Sequence, residues 1–456
     1  MAEIPRTPVP PEPWTSRQVG DALGVEVTAA GPFTGISTDT RSLTPGMLFV
    51  ALAGERFDAH RFLDQAKAGG ATAAVVRRGT PAVAGLALVE VPDTLAALGL
   101  LARARRRRLP KGAPVVAVTG SSGKTSTKEL IRAALTPRFQ VHATAGNLNN
   151  LVGVPLSILG APAGTDALVI EAGANLPGEI ARLRDIIEPT IAVITNVGYA
   201  HVEGFGSLEG VLREKVSLVD GVPVAVVGTE PAALAAAARW RTRTVVAGTA
   251  AAADFRLTGA DLDDAGRPHL VRDGVEVTVP VTGFHQIENA AIALAVAREA
   301  GVPAADALRG LARASVPGGR GGITEIRGLT IIDDSYNANP GSLRRAVEFA
   351  RWLAGRRGRP LAVVVGTMLE LGPESDKLHR AAAAEIVAAE PALVGAVGAF
   401  GPAFAPFAGA LRDRLLVAAD AEGLGPLLAR GLKGNEVVLL KASRGVALER
   451  VLRHLN

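Results

Sequence analysis

The sequence predicts an α/β protein of three domains, with a parallel sheet of the phosphate-loop type in the central domain and a Rossmann-like C-terminal domain. Three observations support this class. The chain has 456 residues, too many for one hydrophobic core, since domains hold about 100–200 residues each. Strand-like apolar runs alternate with helical patterns, as in parallel sheets. One of these strands continues directly into a glycine-rich turn at residues 120–123.

The first predicted domain covers residues 1–112 and combines short strands with one or two helices. A helical pattern extends from His60 to Gly69 and leads into the apolar run ATAAVV. The linker LPKGAP, residues 109–114, ends this domain. The start of the chain, MAEIPRTPVPPEPW, lacks the apolar core of a secretory signal. We therefore expect a cytoplasmic protein.

The second predicted domain covers residues 113–316. Its strand-like runs are PVVAVT, DALVIEAG, IAVITNVG and PVAVVG, and helical patterns lie between them. This alternation predicts a parallel sheet. Short strands with Asp and Gly turns, from Asp254 to Val281, predict an antiparallel edge. The helix that begins in GFHQIEN is expected to end at Gly301.

The third predicted domain covers residues 317–456 and begins in the glycine cluster VPGGRGG. Its strand-like runs are LTIIDDS, LAVVVGT, LVGAVG and EVVLLKAS, again separated by helical patterns. The alternation is Rossmann-like, but no G-x-G-x-x-G follows a strand. We therefore expect no dinucleotide site in this domain.

Composition narrows the possible partners. There is no cysteine, which favours a reducing compartment. The net charge is +5, and the densest basic run is RARRRR at residues 103–108. With three Trp and two Tyr in the chain, this run has no aromatic platform for stacking on single strands. We interpret it as a solvated helix end and expect no nucleic-acid partner.

An uncharged stretch at residues 391–411 requires a test for membrane insertion. It contains Pro391, Pro402 and Pro406, which a spanning helix of about 20 residues tolerates poorly. A buried strand from Leu393 to Val397, followed by a loop and a short helix, fits better. We expect no membrane insertion.

The strongest motif is VVAVTGSSGKTSTKE, residues 115–129. Backbone N–H groups of such a turn, together with the start of the next helix, form a cradle for phosphate. Lys124 can then reach the β- and γ-phosphates of a nucleotide, and the Thr125 hydroxyl can bind Mg²⁺. The spacing is shorter than the general phosphate-loop pattern, whose first glycine would fall on Val118. A glycine turn beside a solvated lysine is the alternative. The predicted ATP-binding residues here are Gly120, Ser121, Ser122, Gly123, Lys124, Thr125 and Ser126.

Further polar residues follow the neighbouring strands. Glu171 ends the strand DALVIEAG, at the sheet edge where open parallel sheets bind ligands, and carboxylate oxygens suit Mg²⁺. His201 follows the next strand, and the residues alone leave a metal-binding and a structural role equally open. Lys215 lies in the helical stretch LEGVLREKVSLV. By its residue type alone it is a solvated helix lysine.

Several longer motifs occur in order along the chain: TGSSGKTSTKE, GNLNNLVGVP, EAGANLPGEI, ITNVGYAHVEGFGSLEGVLREK, GFHQIEN and DDSYNANPGS. Together they resemble the Mur ligase family, and STDTR near the N-terminus and LLKASRG near the C-terminus extend the resemblance over nearly the whole chain. EAGANLPGEI and DDSYNANPGS are typical of the member that adds a dipeptide.

The resemblance implies an ATP-dependent amide ligase of peptidoglycan synthesis. Its substrates would be UDP-N-acetylmuramoyl-tripeptide and D-alanyl-D-alanine, joined through an acyl phosphate with ATP and Mg²⁺, and the protein is expected to be a monomer. Whether the third peptide residue is lysine or diaminopimelate stays open. The alternatives are another Mur ligase, a folylpolyglutamate synthetase-like ligase, or a nucleotide-binding regulator without ligase activity.

The resemblance also implies roles for individual residues. Lys124, Lys215 and His201 would be catalytic, and Lys215 would react with CO₂ to form a carbamate. The implied metal ligands are Thr125, Glu171, His201 and Lys215. Asn289 would face the adenine, and Arg320 and Asp334 the ribose region. The implied contacts to the UDP-linked substrate are Thr40, Arg41, Asn149 and Asn150.

Several positions depart from the family pattern: Thr40 and Gln286, the pair Gly321-Gly322, and most notably Ala59 and Thr367. Ala59 replaces a glycine in the motif GERFDAH, which requires a Cβ atom to fit there. Thr367 replaces an aspartate in TMLELG, so whatever that aspartate does must be done otherwise in this chain.

Overall fold

The computed structural model describes residues 9–29, 31–54 and 57–455. The first eight residues of the N-terminal segment and two residues of GERFDAH, Glu55 and Arg56, lie outside this range. Within the described residues, no helix combines the length and the apolar character needed to cross a bilayer. By spatial proximity the chain forms two compact units. The first comprises residues 1–118, 138–174 and 178–192, and the second comprises residues 119–137, 175–177 and 193–456.

The N-terminal part is a parallel sheet with three α-helices, one more than the upper number predicted. The sheet order is β1-β2-β3-β4, and each neighbouring pair is parallel. The strands are β1 (Ile36–Ser37), β2 (Leu48–Val50), β3 (Ala73–Arg77) and β4 (Ala87–Val91), and the helices are α1 (Ser16–Leu23), α2 (Leu63–Ala68) and α3 (Thr94–Arg107). A 3₁₀ turn over Ala59–Phe62 precedes α2. Ala59 is buried in the core beside this sheet, so its Cβ atom is accommodated.

The central part contains a seven-stranded sheet with the order β11-β10-β9-β8-β5-β7-β6. Its elements are β5 (Val115–Thr119), α4 (Lys124–Leu135), β6 (Val141–Ala143), α5 (Gly153–Leu159), β7 (Ala167–Glu171), α6 (Glu179–Ile187), β8 (Ile191–Ile194), α7 (Val202–Phe205), α8 (Leu208–Val216), β9 (Val224–Val227), α9 (Ala232–Arg239), β10 (Arg243–Gly248) and β11 (Phe255–Arg256). Strands β5, β7, β8 and β9 are buried along their whole length. This burial explains their uninterrupted apolar sequences, which are typical of parallel sheets.

The predicted antiparallel edge is only partly correct. The outermost strand, β11, pairs in parallel with β10. The antiparallel strands β12 (Ala260–Leu262), β13 (Pro268–Arg272) and β14 (Val275–Thr278) form a sheet of their own. Helices α10 (His285–Glu299) and α11 (Ala304–Leu311) follow. Helix α10 ends just before Gly301, whose φ is 74°, and it packs against α4.

The C-terminal part is the predicted Rossmann-like sheet. The strand order is β15-β16-β20-β17-β18-β19, in which β15 is antiparallel to β16 and the other pairs are parallel. The elements are β15 (Gly322–Ile326), β16 (Leu329–Asp333), α12 (Pro340–Arg357), β17 (Leu361–Val365), α13 (Ser375–Ala388), β18 (Leu393–Val397), α14 (Phe400–Phe404), α15 (Ala408–Leu411), β19 (Leu415–Ala418), α16 (Ala421–Gly431) and β20 (Val437–Lys441). The strand expected at residues 393–397 is confirmed.

The arginines at the end of α3 are not a solvated helix end, and this prediction was wrong. Arg105 is 2% exposed, and its guanidinium lies 3.8 Å from the Glu12 carboxylate. Arg106 donates to the backbone carbonyl of Glu188 at 3.0 Å. Arg108 donates to Glu12 at 2.7 Å. These cations stabilise the protein's own carboxylates and carbonyls, and burial lowers the pKa of Arg105 and of Arg106.

Candidate active site

The turn between β5 and α4 requires glycine at two positions. Gly120 has φ of 148°, and a Cβ atom there would lie 2.0 Å from the Thr195 hydroxyl oxygen. Gly123 has φ of 80° and is the N-cap of α4, which has no side-chain cap. A helix N-terminus without a side-chain cap presents its amide groups and positive dipole end to an anion. The backbone of this turn therefore has the geometry of an anion-binding loop; we call residues 120–126 the cradle.

The segment after β8 holds this turn in place. The amide of Ser121 donates to the Asn196 carbonyl, and the amide of Ser122 donates to the Asn196 side-chain oxygen, both at 3.0 Å. The Thr195 hydroxyl donates to the Ser122 carbonyl at 2.6 Å. The Ser121 hydroxyl donates to the Gly198 carbonyl at 3.0 Å. The loop is thus fixed by hydrogen bonds at the ends of two adjacent strands.

Lys124, the first residue of α4, folds back over the turn. Its Nζ atom donates to the Gly120 carbonyl at 2.7 Å, which keeps the charge beside the cradle. Thr125 and Ser126 follow in the first helical turn and are buried. A positive charge and hydroxyl groups thus surround the N-terminus of α4, which is the arrangement predicted for a triphosphate.

Asn289 lies against the same turn rather than in a separate pocket. Its side-chain oxygen is 3.0 Å from the position that a Cβ atom would take at Gly123. The Asn289 side-chain nitrogen donates to Gln286 at 2.9 Å. Both side chains are buried on α10, and the packing of α10 against α4 brings Asn289 to the N-cap of α4.

Asn339 is a loop contact that sequence reasoning missed. As N-cap of α12, its side-chain oxygen accepts a hydrogen bond from the Ser342 amide at 2.9 Å. Its side-chain nitrogen donates to the Ser122 hydroxyl at 2.9 Å and lies 3.4 Å from the Ser121 carbonyl. The Asn-Pro pair signalled a helix start, but no local pattern indicates the contact with a loop more than 200 residues earlier in the chain.

His201 is paired with a carboxylate that the sequence analysis did not single out. Its Nδ1 atom is 2.5 Å from the Glu370 carboxylate. This hydrogen bond holds the pKa of Glu370 below its usual range, burial opposes the shift, and the charges of His201 and Lys124 reinforce it. His201 has the left-handed φ of 55°. This contact joins the loop after β8 to the loop after β17.

Lys215 is not the solvated helix lysine that its residue type indicated. It is 1% exposed, and its Nζ atom lies 5.6 Å from the centre of the Phe205 ring. Helix α8 directs this side chain inward, together with Glu214. A buried lysine requires an energetic reason, so the structure favours a functional or structural role over solvation.

Glu171 ends β7, as predicted. Asn149 and Asn150, the predicted substrate contacts, both make hydrogen bonds within the protein. Its carboxylate accepts a hydrogen bond from the Asn149 side chain at 2.9 Å, and its amide donates to the Thr144 hydroxyl at 3.0 Å. Asn150 uses its side-chain oxygen to cap the start of α5, where it accepts from the Gly153 amide at 2.8 Å. Asn149 therefore orients the carboxylate, and Asn150 stabilises a helix.

Thr40 and Arg41 lie on a 3₁₀ turn capped by Asp39. The Arg41 guanidinium, 88% exposed, donates to both Asp39 carboxylate oxygens, with the shorter contact at 2.7 Å. These hydrogen bonds lower the pKa of Asp39 to about 2. The pair limits the directions that the exposed guanidinium can take.

Arg320 and Asp334 lie at the start of the C-terminal part. The Arg320 guanidinium carbon is 3.9 Å from the centre of the Tyr336 ring. Asp334 is paired with Lys441, with 2.6 Å between its carboxylate and Nζ. Burial raises the pKa of Asp334 above its usual range, and the charges of Lys441 and Arg320 oppose this rise. The structure thus places Asp334 in an ion pair.

The described residues contain no cluster of three His, Asp or Glu side chains that could hold a metal ion by themselves. Mg²⁺ binds single carboxylate and hydroxyl oxygens. Glu171 and Thr125 are donors of that kind, and both are buried. Their oxygen chemistry fits Mg²⁺.

Three domain families match consecutive parts of the chain. Residues 32–106 match the family described as "Mur ligase family, catalytic domain". Residues 118–297 match the "Mur ligase middle domain", and residues 319–444 match the "Mur ligase, glutamate ligase domain". The chain belongs to the Mur ligase family, and the predicted resemblance is confirmed.

Individual relatives are similar over nearly the full chain. The protein named UDP-N-acetylmuramoyl-tripeptide–D-alanyl-D-alanine ligase in Escherichia coli (strain K12) is 38% identical, covering 97% of this chain and 98% of the relative. The protein of the same name in Bacillus subtilis (strain 168) is 36% identical, covering 92% and 93%. A crystal structure of MurF from Acinetobacter baumannii matches with a TM-score of 0.87 at 31% identity, covering 98% and 99%. The MurF ligase of Thermotoga maritima, solved in complex with ADP, matches with a TM-score of 0.79 at 31% identity, covering 92% and 96%.

Proposed function

We propose that this protein joins D-alanyl-D-alanine to UDP-N-acetylmuramoyl-tripeptide at the expense of ATP, giving the UDP-linked pentapeptide of peptidoglycan synthesis. The observation that carries the proposal is the cradle at the start of α4, with Gly120 and Gly123 forming it and Lys124 folded over it. Relatives with 36–38% identity over more than nine-tenths of the chain carry the name of this ligase. An amide ligase needs such a cradle for the triphosphate that activates its carboxylate.

The reaction has two steps in this proposal. The terminal carboxylate of the tripeptide attacks the γ-phosphorus of ATP, ADP leaves, and an acyl phosphate forms. The free amine of D-alanyl-D-alanine then attacks the acyl carbon, the amine loses a proton, and inorganic phosphate leaves with the former carboxylate oxygen. Lys124 and the amides of α4 would neutralise the charge that moves between these groups. The protein's other contribution is to hold three reactants in line.

Magnesium is the metal that we propose for this site. Thr125 and Glu171 would hold it through oxygen atoms, and His201 is the further ligand implied by the family. When bound, Mg²⁺ would neutralise the phosphate oxygens during transfer. We propose that Lys215 reacts with CO₂ to form a carbamate, whose oxygens add a negative group to this ligand set. The burial of Lys215 supports a role other than solvation.

The remaining residues have proposed roles at the two ends of the substrates. Thr40 and Arg41 would contact the uridine diphosphate, and Asn149 and Asn150 would lie near the phosphate or muramoyl part. Asn289 would face the adenine, and Arg320 and Asp334 would contact the ribose region of the nucleotide. We retain the domain boundaries 1–112, 113–316 and 317–456, a monomeric state and a cytoplasmic location as proposals.

An acceptor panel tests the function. The purified protein receives ATP, Mg²⁺ and UDP-N-acetylmuramoyl-tripeptide with either lysine or diaminopimelate in third position. D-alanyl-D-alanine and single amino acids are then offered separately as amines, and in a further reaction a folate with glutamate replaces the tripeptide and the dipeptide. Phosphate release is followed together with product mass. We expect release with the dipeptide and a product heavier by one dipeptide less one water. Release with a single amino acid or a folate instead would assign the chain to a different ligase, and release with no acceptor dependence would reject ligation.

A further inference from the structure

An exposed cationic side chain, Arg444, lies at the edge of the C-terminal sheet and is not part of the nucleotide cradle. Arg444 follows β20, and its guanidinium carbon lies 5.6 Å from the centre of the Tyr336 ring. Its side chain is 66% exposed, and its ion pair with Glu449, at 3.4 Å, is long and half-exposed. Such a surface pair contributes little. The guanidinium is therefore available to a ligand, while the aromatic ring limits its directions.

An exposed apolar side chain lies beside this cation. Leu369, in the loop after β17, is 48% exposed. Its amide donates to the Ser443 hydroxyl at 2.9 Å. Its Cδ1 atom lies 3.1 Å from the position that a Cβ atom would take at Gly445. Leu369 thus contacts the residues on both sides of Arg444. A cation, an aromatic face and an aliphatic surface meet at the carboxyl ends of the strands, where open parallel sheets bind ligands.

The geometry points to Arg444 as the residue that binds the free carboxylate of the acceptor dipeptide, with Leu369 and Tyr336 contacting its methyl groups. This inference rests on the proposed function, because it takes D-alanyl-D-alanine as the acceptor. The dipeptide has one carboxylate, two methyl groups and one reacting amine. Guanidinium binds carboxylate through two parallel hydrogen bonds, and the small methyl groups require only apolar surface.

A short segment, residues 338–339, connects the surroundings of Arg444 with the phosphate cradle. The Ser443 hydroxyl, next to Arg444, lies 3.4 Å from the Ala338 carbonyl. The following residue, Asn339, donates to Ser122 of the cradle. Two residues of extended chain span about 7 Å. The inference requires a dipeptide held at Arg444 by its carboxylate to reach the end of α4 with its amine.

A phosphate of the nucleotide is the other anion that this guanidinium could bind. Arg320 lies over the same ring at 3.9 Å, so two cations share Tyr336. The two possible anions can be distinguished by the Michaelis constant that changes when Arg444 is replaced. An acceptor carboxylate makes the KM of the dipeptide depend on Arg444, whereas a phosphate makes the KM of ATP depend on it.

The test compares D-alanyl-D-alanine with its C-terminal amide in the wild-type enzyme and in Arg444→Gln. The amide keeps both methyl groups and the reacting amine but lacks the negative charge. We expect amidation to lower kcat/KM by about 10- to 100-fold in the wild type, as the loss of a charged hydrogen bond does. In Arg444→Gln the two acceptors should become equal, with the KM of ATP unchanged. Arg444→Lys should retain part of the discrimination, and Arg450→Gln, an exposed arginine on the next turn, should behave as wild type.

Each result decides one question. A wild type that ligates neither dipeptide would reject the proposed function itself. A wild type that ligates both equally well would reject only the carboxylate site, and this outcome does not depend on the folding of any variant. Discrimination that persists in Arg444→Gln would also overturn the assignment. A rise in the KM of ATP alone would assign the guanidinium to the nucleotide.

Discussion

Two helix ends in this protein concentrate positive potential, and they use it in opposite ways. At the C-terminus of α3, Arg105, Arg106 and Arg108 are bound by internal carboxylates and carbonyls. At the N-terminus of α4, Lys124 donates to the Gly120 carbonyl at 2.7 Å, and no side chain caps the helix. The denser positive run stabilises the fold, and the sparser one forms the candidate active site. The sparser charge stands beside a glycine turn and an uncapped helix start, so charge density alone does not identify a ligand site.

The first prediction separates these two roles by activity. Lys124→Ala should lower kcat by about 1,000-fold or more, because a positive charge beside the transferring phosphoryl group contributes about 3–4 kcal/mol or more to the transition state. The change in the urea unfolding midpoint should be no larger than the change in the matched control Lys377→Ala, which replaces an exposed lysine. A folded Lys124→Ala enzyme with near-normal turnover would end the comparison, because the α4 cradle would then have no catalytic role.

Replacing Lys215 tests whether a buried cation takes part in catalysis or only stabilises the fold. Lys215→Ala should lower ligation by about 100- to 1,000-fold, since the carbamate oxygens near the metal would be lost. Added acetate should restore part of the activity of this variant by supplying a carboxylate in the vacated space. The same acetate should not affect Lys377→Ala. Full activity of Lys215→Ala would instead group Lys215 with Arg105, as a buried cation of the fold.

Arg105 should show the opposite phenotype to Lys124. Arg105→Ala should reduce the free energy of unfolding by about 3 kcal/mol, because it empties a buried site and leaves the Ala161 carbonyl without this donor, while Glu12 keeps Arg108. The kcat of the folded fraction should be unchanged. Arg107→Ala, at an exposed neighbour paired with Glu188, should cost less than about 1 kcal/mol. Urea denaturation of the two variants decides this, and equal losses would show that burial does not separate the arginines.

Asn339 tests how the cradle is held. Asn339→Asp keeps the oxygen that caps α12 but removes the N–H that donates to the Ser121–Ser122 turn. We expect kcat to fall by about 10- to 100-fold, since a misplaced loop weakens positioning, with little change in the unfolding midpoint. Asn339→Ala removes the cap as well and should also cost about 1 kcal/mol of stability. If the Asp variant were as active as wild type, the contact with the loop would be incidental.

The smallest expected effect concerns His285, which begins α10 close to the cradle. Burial, together with the charges of Arg345 and Lys441, lowers its pKa to about 3. The folded state therefore keeps His285 neutral while the unfolded chain binds a proton below about pH 6.5. Stability should fall as the pH drops from 6.5, by at most about 1.4 kcal/mol per pH unit for this residue.

The matched variants for that effect are His285→Asn and His269→Asn. Between pH 6.5 and 5, the slope of unfolding free energy against pH should be smaller in His285→Asn than in wild type. His269 is partly exposed, so His269→Asn is the control for replacing an imidazole outside a buried site. Equal slopes in all three proteins would mean that His285 titrates normally in the folded state.

The fold and the cradle were predictable because their causes are local. A buried strand, a four-residue turn with glycine at both ends and a helix starting at Lys124 are all written in consecutive residues. The helical spacing of Leu98, Leu101 and Arg105 also puts the arginine on the buried face of α3, a signal that the basic run concealed. The pairing of His201 with Glu370 and of Asn339 with Ser122 had no such signal. These pairs join residues more than 160 positions apart, and only the packing of the C-terminal part defines them.

One measurement tests the central claim, which is that the cradle at α4 activates a peptide carboxylate as an acyl phosphate. The tripeptide substrate is labelled with ¹⁸O in its terminal carboxylate and incubated with ATP, Mg²⁺ and D-alanyl-D-alanine, and the inorganic phosphate is analysed by mass. The mechanism moves one carboxylate oxygen to phosphorus, so one ¹⁸O should appear in phosphate for each amide bond formed. Phosphate released without ¹⁸O while the pentapeptide accumulates would contradict the account.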